Sequence, residues 1–419
     1  MTNRVAESAS DAGPAGGLRH ILVATVIAGG IGYLIQFLVP VFAPDSYLEF
    51  ATAWSAIYLV VTCLSGIQQE LTRASRGETS GSGFRTWALF TIIAAAAATA
   101  AVALIFGIGA PRLFPVDSAA FVGIVALSAF GYCLVAAVSG AVYGLKHWRA
   151  VAGMTIADAL IRAATIAGAL LAGGAAVLLG WATAIPFVLA VAAIWLWTGG
   201  RIRHQLAIDV PLARLFRNSS ATVLASLSTG ALISGLPLLL KAFAPDAGAD
   251  VLASLILVIT LTRAPLVVPL LALQGYLVVS FRDGEHAAAR VLRWVVVVLA
   301  AVVILAALAA LLGPMLMSWL FGTFTTVSPL YFSIIVLSAG LTGVMCITGP
   351  AVLAANRHAW YTSGWAVSAI VSVLVLLLPI DASTRIIIAL LGGPLIGAIV
   401  HVIAVRGQRP SSTQSTRWI

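Results

Sequence analysis

The sequence predicts an all-α polytopic membrane protein with about twelve transmembrane helices in two pseudo-symmetric six-helix bundles. Three observations carry this: the apolar composition, the spacing of the apolar runs, and the placement of positive charge. Of 419 residues, 61% are hydrophobic and 9% charged, where a soluble domain carries about 25% charged residues. Apolar runs recur at 20–40, 50–70, 86–110, 119–144, 151–173, 176–197, 218–242, 250–274, 291–312, 329–355, 359–379 and 385–405. Each is close to the ~20 residues that cross roughly 30 Å of hydrocarbon. They are rich in Ala, Leu and Gly and do not alternate, so each pairs its backbone internally as a helix and not as a barrel strand.

Loop charge tests this map. With the N-terminus placed in the cytoplasm, only Arg112, Lys241 and Arg385 of the 23 Lys and Arg fall in outside loops. Arg162 and Arg263 fall inside spans, and the rest lie in short inside segments. The pattern predicts a multi-pass membrane protein with both termini cytoplasmic. It also assigns the +9 net charge to topology, so nucleic acid is not an expected partner.

Polar residues 1–18 read as a disordered cytoplasmic N-terminus. The first apolar run ends at Pro40 without a small-residue cleavage pattern and reads as a retained span. An N-terminal six-helix bundle is expected at 19–200, a basic cytoplasmic linker at 201–217, a second bundle at 218–405 and a disordered cytoplasmic tail at 406–419. This division follows an internal repeat. Ala24-Thr25-Val26-Ile27-Ala28 in the first span matches Ala221-Thr222-Val223-Leu224-Ala225 in the seventh. Phe42-Ala43-Pro44-Asp45 and Phe243-Ala244-Pro245-Asp246 follow at the outer ends of those spans. Ser139-Gly140 and Thr348-Gly349, each before a tight basic loop, form a weaker third match. Six spans per half is even, so both halves share one orientation, as in parallel-repeat transporters.

Charged residues inside the bilayer are costly and therefore informative. Asp158 and Arg162 are four residues apart on the fifth span and share a helix face, with Arg162 roughly 16 Å deep at ~1.5 Å per residue. They read either as an ion pair pinning two helices or as Asp158 orienting Arg162 toward a hydrated cavity. Arg263 lies near mid-depth on the eighth span with no acidic neighbour at helical spacing. Pro265 and Pro269 follow it and bend the helix, which suggests a cavity wall. Gln274 lies further toward the cytoplasm on the same helix. Two mid-membrane guanidinium groups favour an anionic ligand, since they bind phosphate oxygens in pairs and stay charged. Thr25 and Gln36 on the first span extend the candidate substrate-binding set, and Gln69, Glu70 and Arg73 form a candidate cytoplasmic gate.

No loop carries a metal-ligand cluster, and no glycine-rich loop precedes Lys-Ser/Thr. Cys63, Cys133 and Cys346 lie in apolar runs at neither metal nor disulfide spacing. No catalytic residue, metal or cofactor is therefore expected, the chain reads as a non-enzyme, and transport would be driven by a gradient or by the substrate.

The Gly32-Tyr33-Leu34-Ile35-Gln36 run, the Ala43-Pro44-Asp45-Ser46-Tyr47 turn and Leu64-Ser65-Gly66-Ile67-Gln68-Gln69-Glu70-Leu71-Thr72-Arg73 resemble one known family. It is the polysaccharide-exporter or O-antigen flippase branch of the multidrug/oligosaccharidyl-lipid/polysaccharide (MOP) flippase superfamily. The chain departs from it at Leu48, where Gly often follows the turn tyrosine. The resemblance implies a MATE-like, V-shaped pair of bundles and alternating access through a central cationic cavity. It implies translocation of polyprenyl-diphosphate-linked saccharides for surface polysaccharide export. The implied partners are a polyprenyl-linked anionic saccharide, membrane lipids, a polysaccharide polymerase and glycosyltransferases. Alternatives are a cation-coupled multidrug extruder of the same fold, or a membrane glycosyltransferase using Asp45.

Overall fold

The computed structural model describes residues 14–77, 83–282, 287–324 and 327–406. The expected disordered ends fall almost wholly outside these residues. The chain forms two compact units, residues 1–242 and 243–419. In the first, α1 (Pro14–Phe42) is followed by a 3-10 turn at Pro44–Ser46 and α2 (Tyr47–Ala74). Strand β1 (Ser75–Gly77), α3 (Phe84–Leu113), α4 (Ser118–Gly144), α5 (Trp148–Leu171) and α6 (Ala176–Gln205) come next. Strand β2 (Leu206–Ile208), α7 (Leu212–Ile233) and α8 (Leu236–Phe243) end the unit. The second unit opens with a 3-10 turn at Pro245–Ala247 and α9 (Ala249–Arg282). It continues with α10 (Ala287–Leu320), α11 (Pro329–Ala354), α12 (His358–Leu376) and α13 (Ala382–Arg406). Among the described residues, eleven helices are long and apolar enough to cross a membrane singly, and the bent pair α7–α8 completes a twelfth span.

The sequence repeat has a structural counterpart. Both Phe-Ala-Pro-Asp segments form the same 3-10 turn, since Pro fixes φ at the first helical position. The tight loops after α4 and α11 also match bond for bond. Leu145, Lys146 and His147 donate backbone N–H to Ala141, Tyr143 and Val142; Ala355, Asn356 and Arg357 donate to Ala351, Leu353 and Val352. Lys146 and Asn356 both take the left-handed conformation that closes a helix. This equivalence moves the third sequence match by one residue, pairing Ser139 with Gly349.

The packing division falls after the seventh span, whereas the sequence division fell before it, at 201–217. A close backbone contact fastens α7 to α2 of the first unit. Gly66 on α2 lies so close to α7 that a Cβ there would stand 2.5 Å from Val223 N. The presumed linker is also largely structured: β2 pairs antiparallel with β1, Arg76 facing Ala207. A three-residue strand between a helix end and Asp209 is too short to show a period in the sequence.

The seventh span, expected as one helix, bends by 72° between α7 and α8. Pro237 explains the break, because it lacks an N–H and its ring crowds the carbonyl four residues earlier. The next bond a straight helix would make, Leu238 N–H to Ser234 O, is replaced by a side chain from α2. Ser55 Oγ donates to Ser234 O at 2.6 Å and accepts from Leu238 N–H at 3.1 Å. A hydroxyl inserted into the helical ladder is a recognised cause of a sharp kink. Ser55→Ala is expected to lower stability by about 1–3 kcal/mol, leaving two part-buried backbone groups without their bridge. Thermal unfolding of detergent-purified protein checks this; an unchanged midpoint would mean the hydroxyl carries no weight.

Candidate functional site

In the first unit, Asp158 and Arg162 meet on α5 as their spacing predicts, with Arg162 Nη2 donating to Asp158 Oδ1 at 2.6 Å. Arg162 is 2% exposed, and its Nη1 donates to Thr183 O on α6. The guanidinium carbon stands 4.3 Å from the centroid of the Phe187 ring and 5.9 Å from that of Tyr58, distances at which an aromatic face attracts a cation. Tyr132 meets Phe187 edge-on at 5.5 Å. Thr165 adds a second tie, donating to Ala182 O at 2.7 Å. The charge is thus balanced by a carboxylate, a carbonyl and two rings, and the group clamps α5 to α6. Sequence reading found the ion pair but not Thr183, Phe187 or Tyr58, which lie on other helices.

The second unit treats its arginine differently. Arg263 on α9 is 7% exposed. Its Nη2 donates to Thr342 Oγ1 on α11 at 2.9 Å, and that hydroxyl passes its own proton to Ser338 O. Among the described residues no carboxylate pairs with Arg263, and its Nε has no acceptor. Gln274, about three turns further along the same helix, meets the Cys346 thiol of α11. α9 runs as one helix through Pro265 and Pro269, and these two prolines line, with Leu266, Val302 and Gly340, an apolar cavity of about 200 Å³ among α9, α10 and α11, of which Arg263 is not a lining residue. Arg263 is thus balanced only by a neutral hydroxyl inside a membrane span, where an uncompensated charge is costly.

Among the remaining candidates, Thr25 is exposed on α1 and bonds back to Ile21 O. Gln36 is 7% exposed with its Oε1 unpartnered. At the basic-loop end, Arg73 Nε and Nη2 fork onto Glu70 at 2.9 and 2.7 Å. Glu70 is buried and also accepts from Asn218 on α7 at 2.8 Å, while Gln69 points outward. Glu70 therefore ties α2 to α7, with Thr222 donating to Gly66 O one turn further along. Asp45 stays within its 3-10 turn; the nearby carboxylate Glu49 meets Lys241 at 3.6 Å. No group of three or more metal-ligating side chains occurs among the described residues.

No family model matches the sequence. The chain is 30% identical over 399 residues to "Uncharacterized protein Rv3630" of Mycobacterium tuberculosis (strain ATCC 25618 / H37Rv), covering 93% of this chain and 92% of that protein. It is 31% identical over 423 residues to "Uncharacterized protein Rv1510" of the same strain, covering 97% and 95%. Solved structures with a similar fold include a multidrug resistance MATE family transporter of the MOP superfamily in its outward-facing conformation (TM-score 0.59, 13% identity, 93% of this chain and 94% of that one). Its inward-facing conformation scores 0.59 over 91% of this chain and 94% of that one, at 13% identity. The eukaryotic MATE transporter AtDTX14 scores 0.54 over 93% and 92%, at 13% identity. The fold is therefore that of MATE transporters, a multi-pass arrangement of twelve helices.

Proposed function

We propose that this chain, which belongs to the same family as the Mycobacterium tuberculosis proteins Rv3630 and Rv1510, is a flippase for polyprenyl-diphosphate-linked saccharides. It would work by alternating access in a bacterial cytoplasmic membrane, with both termini cytoplasmic. The saccharides would come from glycosyltransferases and pass to a polysaccharide polymerase. One observation carries the reading: Arg263 holds a buried positive charge with no counter-charge among the described residues. A guanidinium stays ionised when buried, and its fork matches two phosphate oxygens. A diphosphate arriving there would complete both the charge and the open Nε. Arg162 then serves the fold, and Glu70 with Arg73 and Asn218 serves as the clasp at the basic-loop end.

The multidrug reading is compatible with the fold, and a multidrug transporter is among the similar structures. An organic cation would need a free carboxylate within the membrane, and Asp158 is occupied by Arg162. The glycosyltransferase reading needs a special role for Asp45, yet its turn recurs around Asp246. Short-chain polyprenyl diphosphate added to detergent-purified protein is expected to raise its thermal midpoint, and Arg263→Gln to remove the rise. An equal rise in the variant, or none in the wild type, contradicts the assignment.

A further inference from the structure

One buried polar cluster in the second unit takes no part in the proposed anion site. His401 on α13 has no exposed surface. Its Nε2 lies 3.0 Å from Tyr361 O on α12, and its Nδ1 lies 3.2 Å from Thr348 Oγ1 on α11. The ring stacks parallel to Tyr361 at 6.0 Å and meets Trp365 near edge-on at 6.4 Å. Gly364 makes room for it, since a Cβ there would collide with Nε2. This is a slot shaped to one imidazole, fixed by three helices.

The hydrogen-bond arithmetic of the slot is unusual. A carbonyl can only accept, so Nε2 must carry a proton. The partner of Nδ1 is a hydroxyl, which can donate or accept. With the ring neutral, Thr348 O–H donates to Nδ1. With the ring protonated, Nδ1–H donates to Thr348 Oγ1, and the hydroxyl turns its proton to Val344 O, 3.0 Å away. Val344 O keeps its helical acceptor role in both cases. Both protonation states are therefore satisfied, and they differ by rotation of one hydroxyl. A histidine held only for packing has no need of two complete networks.

From this geometry we infer that His401 is a reversible proton-binding site at the junction of α11, α12 and α13. A proton from water adds to the Nδ1 lone pair, and no heavy atom moves. The ring is five residues from Arg406 at the end of α13, so roughly 8 Å of helix separates it from the basic-loop end. On α11 the ring is faced by Thr348, with Cys346 half a turn away; on α12 by Tyr361 and Trp365, with His358 at the helix start. Arg357, in the turn between them, donates Nη1 to Ala404 O at 2.7 Å, one turn beyond His401. The described carboxylates of this unit, Asp246, Asp250 and Asp381, all lie at the opposite end, Asp246 paired with Arg385. Since the sequence carries no nucleotide-binding element, a proton site is the feature that would let a gradient act on this unit.

The test is nitrogen NMR of 15N-histidine protein in lipid nanodiscs, with His401→Gln assigning the signal among the six histidines. Both ring nitrogens of His401 are expected to pass from the Nε2–H pattern to the imidazolium pattern as the pH is lowered from about 8 to about 4. Thr348→Val removes the hydroxyl and should move the midpoint down by roughly one pH unit, while Thr348→Ser should restore it. Ring signals that stay constant across the range, or a midpoint indifferent to Thr348→Val in folded protein, would overturn the inference. If Thr348→Val does not fold, the wild-type titration and Thr348→Ser decide it. No transported substrate is involved, so a failure here is separate from a failure of the flippase reading.

Discussion

Arg263→Gln is expected to cut transport by roughly ten- to a hundredfold, the equivalent of about 1.5–3 kcal/mol for lost hydrogen bonds to a charged group. The same change should leave the folded protein at least as stable as the wild type. Arg263 makes one hydrogen bond to a neutral hydroxyl, and removing an uncompensated buried charge relieves a desolvation cost. Thr342 loses nothing essential, because its hydroxyl still donates to Ser338 O. Flux in proteoliposomes and the thermal midpoint of the same preparation, measured together, check both halves. Wild-type flux in the variant would remove Arg263 from the site. A collapsed midpoint would give it a structural role instead.

Arg162 should behave in the opposite way. Arg162→Met leaves Asp158 without its partner, empties the acceptor at Thr183 O and strips the cation from Phe187 and Tyr58. Breaking such a pair from one side costs about 3–5 kcal/mol, enough to remove most folded protein. Arg162→Lys should rescue little, because an ammonium cannot reach a carboxylate and a carbonyl with one planar fork. Asp158→Leu combined with Arg162→Met should recover much of the loss, since an apolar pair of similar volume avoids desolvation altogether. Yield of monodisperse protein and thermal midpoint read this series. A double variant as unstable as Arg162→Met alone would show that the aromatic and carbonyl contacts, not the pair, hold α5 to α6.

These contrary expectations show where sequence reading reached and where it stopped. The spans were legible because hydrocarbon thickness fixes their length, and the repeat because Pro44 and Pro245 impose the same turn. The Asp158–Arg162 contact was legible because it is local to one helix. Sequence treated Arg162 and Arg263 alike, as charged residues near mid-depth. Their difference lies in partners from other helices, Thr183 and Phe187 for one and Thr342 for the other, and helical spacing carries no information about those. Pro237 was in plain view as the cause of the bend in the seventh span. Ser55, which bridges that bend, sits 179 residues from Ser234 and had no local signal. His401 was passed over because its companions, Thr348 and Tyr361, are ordinary residues until three helices bring them together.

The most direct test of the proposed activity is a flipping assay in reconstituted vesicles with a fluorescent polyprenyl-diphosphate saccharide. Quenching from outside reports how much label has crossed. The account predicts that vesicles with wild-type protein move the label well above the protein-free rate, that Arg263→Gln lowers the protein-dependent rate by roughly ten- to a hundredfold, and that a cationic dye is not moved. A protein that moves the dye and leaves the lipid-linked saccharide in place would contradict it.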